Sequence, residues 1–320
     1  MDDGTGYRHE PVMVEEVLEH LRPGRGGWFL DGTVGGGGHA AALLESAPEA
    51  RLIGLDRDPE AVETARTRLA AYGDRVRVER ANFRNAREVI EALPEVDEAL
   101  SGALLDLGVS SEQIETTARG FSFRLDTPLD MRMGGTASGG RPAADFLNRA
   151  PEDELGRVFR EYGEERRWRP LARAVVRRRE EEPYETSGDL LETLRGVLGP
   201  GLTNQDKAKI FQALRIEVND ELGALEEGLE EIRELLAEGG RMVVIAYHSL
   251  EDRIVKNAFR DWSRECVCPP RLPVCRCRGE PLGRSLTSGP ARPTDAEVDR
   301  NPRSRSARLR AWQRRGGATP

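Results

Sequence analysis

The sequence is poor in cysteine and has no long apolar run. Its four cysteines lie close together, at Cys266, Cys268, Cys275 and Cys277. So local a group is not the disulfide framework of a secreted protein of 320 residues, and it favours a reducing compartment. No stretch approaches the ~18 apolar residues of a membrane span, and the first residues carry acid where a secretory signal would carry base. We therefore expect a cytoplasmic protein with no part in a membrane.

Lysine is also scarce, so nearly all positive charge is carried by arginine. Of the 48 basic residues, 45 are arginine, and the net charge is −8. Seven arginines and no acidic residue occupy positions 300–315. Genomic codon bias explains the arginine excess without RNA binding, although a phosphate-binding surface also contains clustered arginines. The total charge therefore does not decide between a nucleic-acid partner and a solvated basic tail.

Short apolar runs alternate with helical patterns at both ends of the chain. We predict strands at residues 28–31, 51–55, 75–79, 102–107, 242–247 and 306–313. The run at 102–107 is continuously apolar, as in a strand that is buried on both faces of a parallel sheet. A long amphipathic helix precedes residue 239, and Gly239 and Gly240 are expected to stop it. Repeated β-α units predict a doubly wound α/β fold.

The strand pattern is interrupted in the middle of the chain. Residues 134–140 are polar and rich in glycine, and the patterns from Ala143 to Gly199 are helical. We read this region as an inserted all-helical domain. The predicted segments are a first sheet-forming part, the helical insert and a second sheet-forming part with a basic C-terminal segment, at residues 1–113, 114–216 and 217–320.

A glycine-rich turn joins the first predicted strand to the helix after it. The stretch from Asp31 to His39 includes four consecutive glycines. Glycines let a backbone approach a ligand closely, and a helix N-terminus offers N–H donors. Asp56 ends the next strand, where a carboxylate can accept hydrogen bonds from both hydroxyls of a ribose. The pair predicts a bound nucleoside, but a nicotinamide cofactor would use the same geometry.

Two further strand ends favour S-adenosylmethionine over a nicotinamide cofactor. Asn82 and Phe83 follow the third strand, where an amide and an aromatic ring can hold an adenine, although Phe83 is equally interpreted as a core residue. Asp106 ends the fourth strand beside the expected position of the methyl group, and its alternative role is a cap. A carboxylate after so apolar a strand is costly to bury without a function.

Five strings are more specific than these patterns. They are DLGVSSEQ at 106–113, RGFSFR at 119–124 with PLDMRM at 128–133, FQALRIEVN at 211–219, HSLEDRIVK at 248–256 and NPRSRSARLR at 301–310. Together they resemble the RsmH (also called MraW) family, the bacterial methyltransferases that modify N4 of a cytidine in the decoding centre of 16S ribosomal RNA. The resemblance runs in order from His9 to Arg310.

The resemblance implies a fold, a cofactor and a partner. The fold is a Rossmann-like class I S-adenosylmethionine-dependent methyltransferase domain that is interrupted by a helical substrate-recognition domain. The partner is 16S ribosomal RNA within the small subunit. The positions that contact the cofactor in that family match Gly37, Gly38, His39, Asp56, Phe83, Asp106 and Gln113. The chain departs from the family pattern at 204–210 and at 245–248, where many relatives carry a His-Pro-containing stretch and a Ser-Phe pair.

Two residues are candidates for the chemistry. Cytosine N4 is a poor nucleophile because its lone pair is delocalised into the ring, so an acceptor for its N–H would favour the reaction. Asp106 is the first candidate for that acceptor, with cofactor positioning as its alternative role. His248 is the second, although it is equally interpreted as a cap at a strand end. Residues 130–133 and 248–252 are nominated to hold the base.

The target base must leave its stack to reach such a pocket. Phe121 and Phe123 would stack on it, or else anchor their loop by apolar packing. The residues predicted to contact RNA are Asp130, Arg132, Arg303, Arg305 and Arg308. The alternative for the C-terminal arginines is the solvated tail.

The four cysteines form two C-x-C pairs with six residues between them. Thiolates bind structural zinc, but the more usual ligand spacing is C-x₂₋₄-C. The default expectation is therefore no metal and thiols in a surface loop, with a zinc site at Cys266, Cys268, Cys275 and Cys277 as the alternative.

Other functions remain open at this point. A nicotinamide-dependent oxidoreductase would use the same glycine turn, but it does not account for the family strings. A non-catalytic ribosome-assembly factor would bind small subunits without methyl transfer, and a methyltransferase acting on DNA or protein would keep the chemistry. The sequence leaves the oligomeric state open, with a homodimer among the alternatives.

Overall fold

The structure is a computed structural model that describes residues 10–108, 119–123, 126–268, 276–277 and 279–316. The chain forms two compact units. The first, here the sheet unit, comprises Met1–Gly108 and Ala224–Pro320, and the second, here the helical unit, comprises Val109–Gly223. Within the described ranges, no helix combines the length and the apolar character that crossing a bilayer requires.

The sheet unit is built on one sheet with the strand order β3-β2-β1-β4-β5-β7-β6. The strands are β1 (Gly27–Asp31), β2 (Ala50–Asp56), β3 (Val76–Arg80), β4 (Leu100–Asp106), β5 (Leu236–Ala246), β6 (Gly283–Ser285) and β7 (Arg308–Arg314). The strands from β3 to β5 are parallel, and β7 lies antiparallel between β5 and β6. The chain order reverses between β1 and β4, so the carboxyl ends of these strands flank the crevice in which open α/β sheets bind ligands.

Helices cover both faces of this sheet. The helices of the chain are α1 (Val14–Leu21), α2 (Gly38–Ser46), α3 (Pro59–Leu69), α4 (Ala86–Glu91), α5 (Ala143–Arg149), α6 (Glu152–Glu161), α7 (Trp168–Glu181), α8 (Ser187–Leu198), α9 (Asn204–Asn219), α10 (Glu221–Leu235), α11 (Ser249–Trp262) and α12 (Asp295–Arg300). Successive side chains of a strand point to opposite faces. Phe29 of β1 therefore packs with α1, α2 and α3, whereas Trp28 and Leu30 pack with α4, α10 and α11.

The end of α10 differs from the prediction. Gly239 and Gly240 do not stop this helix, because it ends at Leu235 and β5 begins at once. Gly239 has a φ of 74°, and a Cβ on Gly240 would lie 2.9 Å from the carbonyl oxygen of Leu100. The register between β4 and β5 also shifts beside these glycines. The two glycines therefore permit an irregularity in the sheet rather than a helix cap.

The helical unit has a core of its own, formed by α5 to α9. Among its described residues, the ordered elements are helices, short 3₁₀ turns and an isolated bridge between Pro128 and Thr186. Its limits fall at residues 109 and 223, whereas the sequence suggested 114 and 216. Helix α9 continues to Asn219, whose side chain donates to the carbonyl of Met131 and accepts from the N–H of Met133. These bonds tie the end of α9 to this unit.

The predicted fold class is confirmed, namely a Rossmann-like α/β sheet with an inserted helical region. The six predicted strands are present. Five lie within two residues of their expected limits, whereas β5 begins at Leu236, six residues before the predicted start. Helices α1, α4 and α12 and strand β6 were not predicted. Strand β6 has only three residues, which is too short for a periodic pattern to reveal.

Candidate functional site

Three carboxylates lie at one edge of the sheet. Asp31, Asp56 and Asp106 are the last residues of β1, β2 and β4. Because these strands are parallel neighbours, their carboxyl ends meet at the same edge. Apolar residues precede each aspartate and are buried in the sheet, so the three acidic groups lie where the apolar core ends. We call the strand ends that carry Asp31, Asp56 and Asp106 the acidic edge.

The glycine-rich turn is hydrogen-bonded to the end of β2. The N–H of Gly35 donates to Asp56 Oδ2 at 3.0 Å, and the N–H of Asp58 donates to Asp56 Oδ1 at 2.9 Å. The N–H of Val34 donates to the carbonyl of Leu55 at 2.8 Å. Gly35 has a φ of 50°, in the left-handed region that favours glycine. The turn thus brings the start of α2 next to the Asp56 carboxylate.

Gly37, Gly38 and His39, which are predicted to contact the cofactor, are also constrained by their packing at the start of α2. Gly37 has a φ of 77°, and a Cβ on it would lie 3.3 Å from Leu69 Cγ. A Cβ on Gly38 would lie 3.0 Å from the ring of Pro11. His39 is buried, and its Nε2 lies 2.8 Å from the carbonyl oxygen of Val12. Since a carbonyl only accepts, Nε2 carries the proton of this bond, and Nδ1 faces inward.

Asp106 is held by two hydrogen bonds and lies close to His39. Its N–H donates to Thr33 Oγ1 at 2.7 Å, and the Tyr247 hydroxyl donates to its Oδ1 at 2.8 Å. Its Oδ2 lies 3.8 Å from His39 Nδ1. Burial raises the pKa of Tyr247 well above its ordinary value, and the Asp106 charge raises it further. The hydroxyl therefore keeps its proton and remains a donor to Asp106.

The electrostatic environment of this edge is unfavourable for carboxylates. Burial raises the pKa of Asp31 to about 7, with His39 opposing the rise and Asp106 and Asp56 adding to it. Burial likewise raises the pKa of Asp56, against the two N–H groups that it accepts. Desolvation and like charge both disfavour ionised acids. A cation at this edge would relieve that cost.

Phe83 lies in a 3₁₀ turn after β3. Its neighbour Asn82 accepts from the N–H of Arg84 and so caps the turn. The ring of Phe83 packs against α10 at Gly228, where a Cβ would come within 2.5 Å of the ring. Phe83 is half-buried and belongs to the apolar layer on that side of the sheet. These contacts are those of the core interpretation, and contact with an adenine stays a prediction. Gln113 lies outside the described residues.

His248 occupies the N-cap of α11. Its Nδ1 accepts from the N–H of Glu251 at 3.4 Å, and Glu251 accepts from the N–H groups of Tyr247 and His248 in a reciprocal capping box. Glu251 Oε1 also lies 3.0 Å from His248 Nε2. Both ring nitrogens therefore face groups of α11. These contacts match the capping alternative, and a catalytic role of His248 stays a prediction.

The predicted RNA-binding residues of the helical unit pair with each other. Arg132 Nε donates to Asp130 Oδ1 at 2.8 Å, and its Nη2 donates to Oδ2 at 2.6 Å. Arg132 is 13% exposed and Asp130 is 19% exposed. Burial would raise the pKa of Asp130, but the hydrogen bonds from Arg132 hold it below its ordinary value. Phe121 and Phe123 are half-buried against the core of this unit, and Phe123 meets Phe211 edge to face at 5.7 Å.

The C-terminal arginines occupy two different environments. Arg303 and Arg305 are exposed, in the 3₁₀ turn before β7. Arg308 and Arg310 belong to β7 and pair with Asp252 of α11 at 3.4 and 2.7 Å. The segment is thus in part a sheet strand, and the solvated tail is not its structure. Arg303 and Arg305 present their side chains to solvent, and Arg308 is partly engaged within the unit.

Sequence reasoning missed three residues of this site. They are Asp31, which the sequence places only at the start of the glycine turn, Thr33 and Tyr247. An acid at the end of the first strand was a usable signal for Asp31. The contacts of Thr33 and Tyr247 with Asp106 join residues that are 73 and 141 positions apart, so no local pattern reveals them.

The chain is similar to known proteins along nearly its whole length. The model of the MraW methylase family matches residues 6–315. A protein of Syntrophotalea carbinolica named Ribosomal RNA small subunit methyltransferase H is 50% identical over 313 residues, which cover 96% of this chain and 98% of that protein. Proteins with the same name from Gemmatimonas aurantiaca and Heliobacterium modesticaldum are 49% and 46% identical, and the alignments cover 97% and 96% of this chain and 96% and 99% of theirs.

Proposed function

The chain belongs to the MraW methylase family and is an S-adenosylmethionine-dependent methyltransferase, and we propose that its acceptor is N4 of one cytidine in the decoding centre of 16S ribosomal RNA. The observation that carries the proposal is the placement of Asp106 between Tyr247 and His39 at the acidic edge of the sheet. The names of the relatives support ribosomal RNA of the small subunit as the substrate. The choice of cytidine N4 follows from the resemblance in the five strings.

The residues at the acidic edge fit the cofactor. The sulfonium of S-adenosylmethionine is a cation, and the burial that raises the pKa of Asp31 and Asp56 is compensated by a neighbouring positive charge. Each oxygen of Asp56 accepts one backbone N–H, and a carboxylate oxygen has two lone pairs. Asp56 therefore keeps acceptor capacity for ribose hydroxyls. When bound, the cofactor supplies an activated methyl group.

The proposed role of Asp106 is to accept a hydrogen bond from the cytosine amino group. Such a bond returns electron density to N4 and provides a site for the proton that leaves after transfer. Tyr247 holds the carboxylate of Asp106, and Thr33 holds its backbone N–H. Because Tyr247 keeps its proton, it does not compete for that of the substrate. The protein otherwise contributes by positioning, since methyl transfer needs the reacting atoms within about 3–3.5 Å.

Recognition of the RNA is assigned to exposed charge outside this edge. Arg303 and Arg305 face solvent before β7 and are suited to phosphate contacts, with Arg308 beside them. The segment that the sequence delimits as 114–216 contributes the paired Asp130 and Arg132. We assign that insert to substrate recognition and place the enzyme with the small ribosomal subunit, where its substrate resides.

The test of this function is mass spectrometry of 16S ribosomal RNA. Small subunits from cells that lack the gene are incubated with the purified chain and S-adenosylmethionine that carries a heavy methyl group. We expect one N4-methylcytidine to gain the heavy label, in a fragment of the decoding centre. A label on another base, on protein alone or on no molecule would refute the proposed acceptor. Naked 16S RNA as a parallel substrate separates a need for the assembled subunit from a need for the sequence.

A further inference from the structure

The loop between α11 and β6 is long, and hydrogen bonds hold both of its ends. It covers residues 263–282, and the N–H of Leu282 donates to the carbonyl of Trp262 at 2.8 Å. Trp312 Nε1 donates to Ser263 Oγ at 3.2 Å beneath it. Loops of this length without regular structure are uncommon in compact domains unless they have a function or are held by a cross-link such as a bound metal. The structure assigns regular secondary structure to none of the described residues of this loop.

Three sulfur atoms converge within this loop. The Sγ atoms of Cys266, Cys268 and Cys277 all lie within 4.8 Å of one another. In a tetrahedral zinc site with Zn–S bonds of ~2.3 Å, the sulfurs are ~3.8 Å apart. The three thiols therefore approach the spacing of zinc ligands, although they come from positions up to eleven residues apart in the sequence. A disulfide would use only two of the three.

Backbone groups contact two of the three sulfurs. Cys277 Sγ donates as a thiol to the carbonyl of Glu265 at 3.9 Å, and Cys268 Sγ accepts from an N–H. The N–H of Arg276 donates to Cys268 Sγ, with 3.4 Å between nitrogen and sulfur. Backbone N–H groups that point at sulfur stabilise its negative charge and orient it for a metal. Cys266 is exposed, and Cys268 and Cys277 are half-buried, so an ion has a direct path from solvent.

We propose that Cys266, Cys268 and Cys277 bind a structural Zn²⁺ ion that orders this loop against the sheet unit. The unusual C-x-C spacing works because the tied ends of the loop, rather than a single short turn, bring Cys277 to the first pair. Cys275, the fourth cysteine of the sequence, lies outside the described residues. The site is separate from the acidic edge, so the proposal is independent of methyl transfer and of the proposed acceptor.

The first test measures the metal. The full chain without an affinity tag is purified under reducing conditions, dialysed against buffer with ZnCl₂ and then against metal-free buffer, and analysed by mass spectrometry for metals. We expect about one zinc per chain, and about a tenfold loss or more in the variant Cys266→Ser/Cys268→Ser/Cys277→Ser. The matched control is His20→Asn, which removes a metal-binding residue type elsewhere in the sheet unit and should keep the zinc. Zinc retained by the triple variant, or lacking in the reduced wild type, overturns the proposal.

The second test reads the order of the loop and covers the case in which the triple variant folds poorly. Arg264 is more than half exposed and is a site for trypsin. A zinc chelator should accelerate cleavage after Arg264 severalfold in the wild type, and added ZnCl₂ should restore protection. Cleavage that is indifferent to both, or a thiol titration that finds these cysteines joined in disulfides in the purified reduced protein, contradicts a zinc site.

Discussion

Asp31 and Asp56 of the sheet unit and Asp130 of the helical unit are acidic groups whose pKa values shift in opposite directions. In the sheet unit, burial raises the pKa of Asp31 and Asp56. In the helical unit, Asp130 is also partly buried, but a two-bond pair with Arg132 holds its pKa below the ordinary value. Stability favours the second arrangement, because each charge is neutralised within the fold. The first arrangement costs stability and is understandable where a cationic ligand completes the site.

The largest effect is expected from Asp106→Asn, which tests whether the third carboxylate of the acidic edge takes part in the chemistry. The asparagine keeps the shape and can still accept from Tyr247, but it cannot take a proton. We expect methyl transfer to small subunits to fall by about 10³-fold, within the range for loss of a general base. The measurement is single-turnover transfer of labelled methyl, with thermal unfolding as the check on the fold. Transfer within a few-fold of wild type would show that Asp106 only positions the cofactor.

Asp56→Ala addresses binding rather than chemistry. Loss of a carboxylate that accepts from ribose hydroxyls should weaken S-adenosylmethionine binding by about 10- to 100-fold, since hydrogen bonds to charged groups contribute about 1.5–3 kcal/mol. Calorimetric titration with S-adenosylhomocysteine measures this. The matched control is Asp58→Ala, which removes the N-cap of α3 two residues away. It should lower stability by about 1 kcal/mol and leave the affinity unchanged; equal losses of affinity would count against a direct contact of Asp56.

Asp31→Asn tests whether a buried carboxylate at the acidic edge lowers the free energy of unfolding. The folded pKa of Asp31, about 7, lies above its unfolded value, so the folded state binds the extra proton. Its contribution to stability is complete below the unfolded pKa near ~4 and is lost as the pH rises towards ~7. The variant should therefore be more stable than wild type at pH 8, and about 2 kcal/mol of that advantage should be lost between pH 8 and pH 5. Denaturant unfolding without cofactor at both pH values measures the difference, and parallel pH curves would contradict the raised pKa.

Arg132→Ala tests the paired arrangement of the helical unit. Removal of the guanidinium leaves Asp130 partly buried without this partner, and we expect unfolding to be easier by about 1–2 kcal/mol. The folded pKa of Asp130 lies below its unfolded value, so the stability from the pair is present above the unfolded pKa and is lost as the pH falls through the folded one. The double variant with Asp130→Asn should recover part of the loss. Simple additivity of the two changes would mean that the pair does not stabilise this unit.

The smallest effect is expected from Tyr247→Phe. This change removes only the hydroxyl that donates to Asp106 Oδ1. We expect a loss of about threefold to tenfold in transfer rate, because one positioning bond contributes about 1 kcal/mol. A transfer rate equal to that of the wild type would limit Tyr247 to packing.

Much of the acidic edge was predictable from local sequence. Asp56 and Asp106 were identified because each follows an apolar strand, and the parallel topology brings such strand ends together. The strings around residues 106–113 and 248–256 identified the family, which the matched family model confirms. The role of the C-terminal arginines was less predictable, because pairing of Arg308 and Arg310 with Asp252 depends on β7 lying beside β5.

The α/β class, the glycine turn, the carboxylates at the strand ends and the family could be predicted from the chain's letters alone, because short-range periodicity or contiguous motifs carry each of them. The folded chain was needed to see which distant groups meet, namely Tyr247 and Thr33 at Asp106 and three cysteine sulfurs in one loop. The reason is that hydrogen bonds, ion pairs and metal ligands act over a few ångströms. The sequence gives the separation of two residues along the chain, and only folding sets their distance in space.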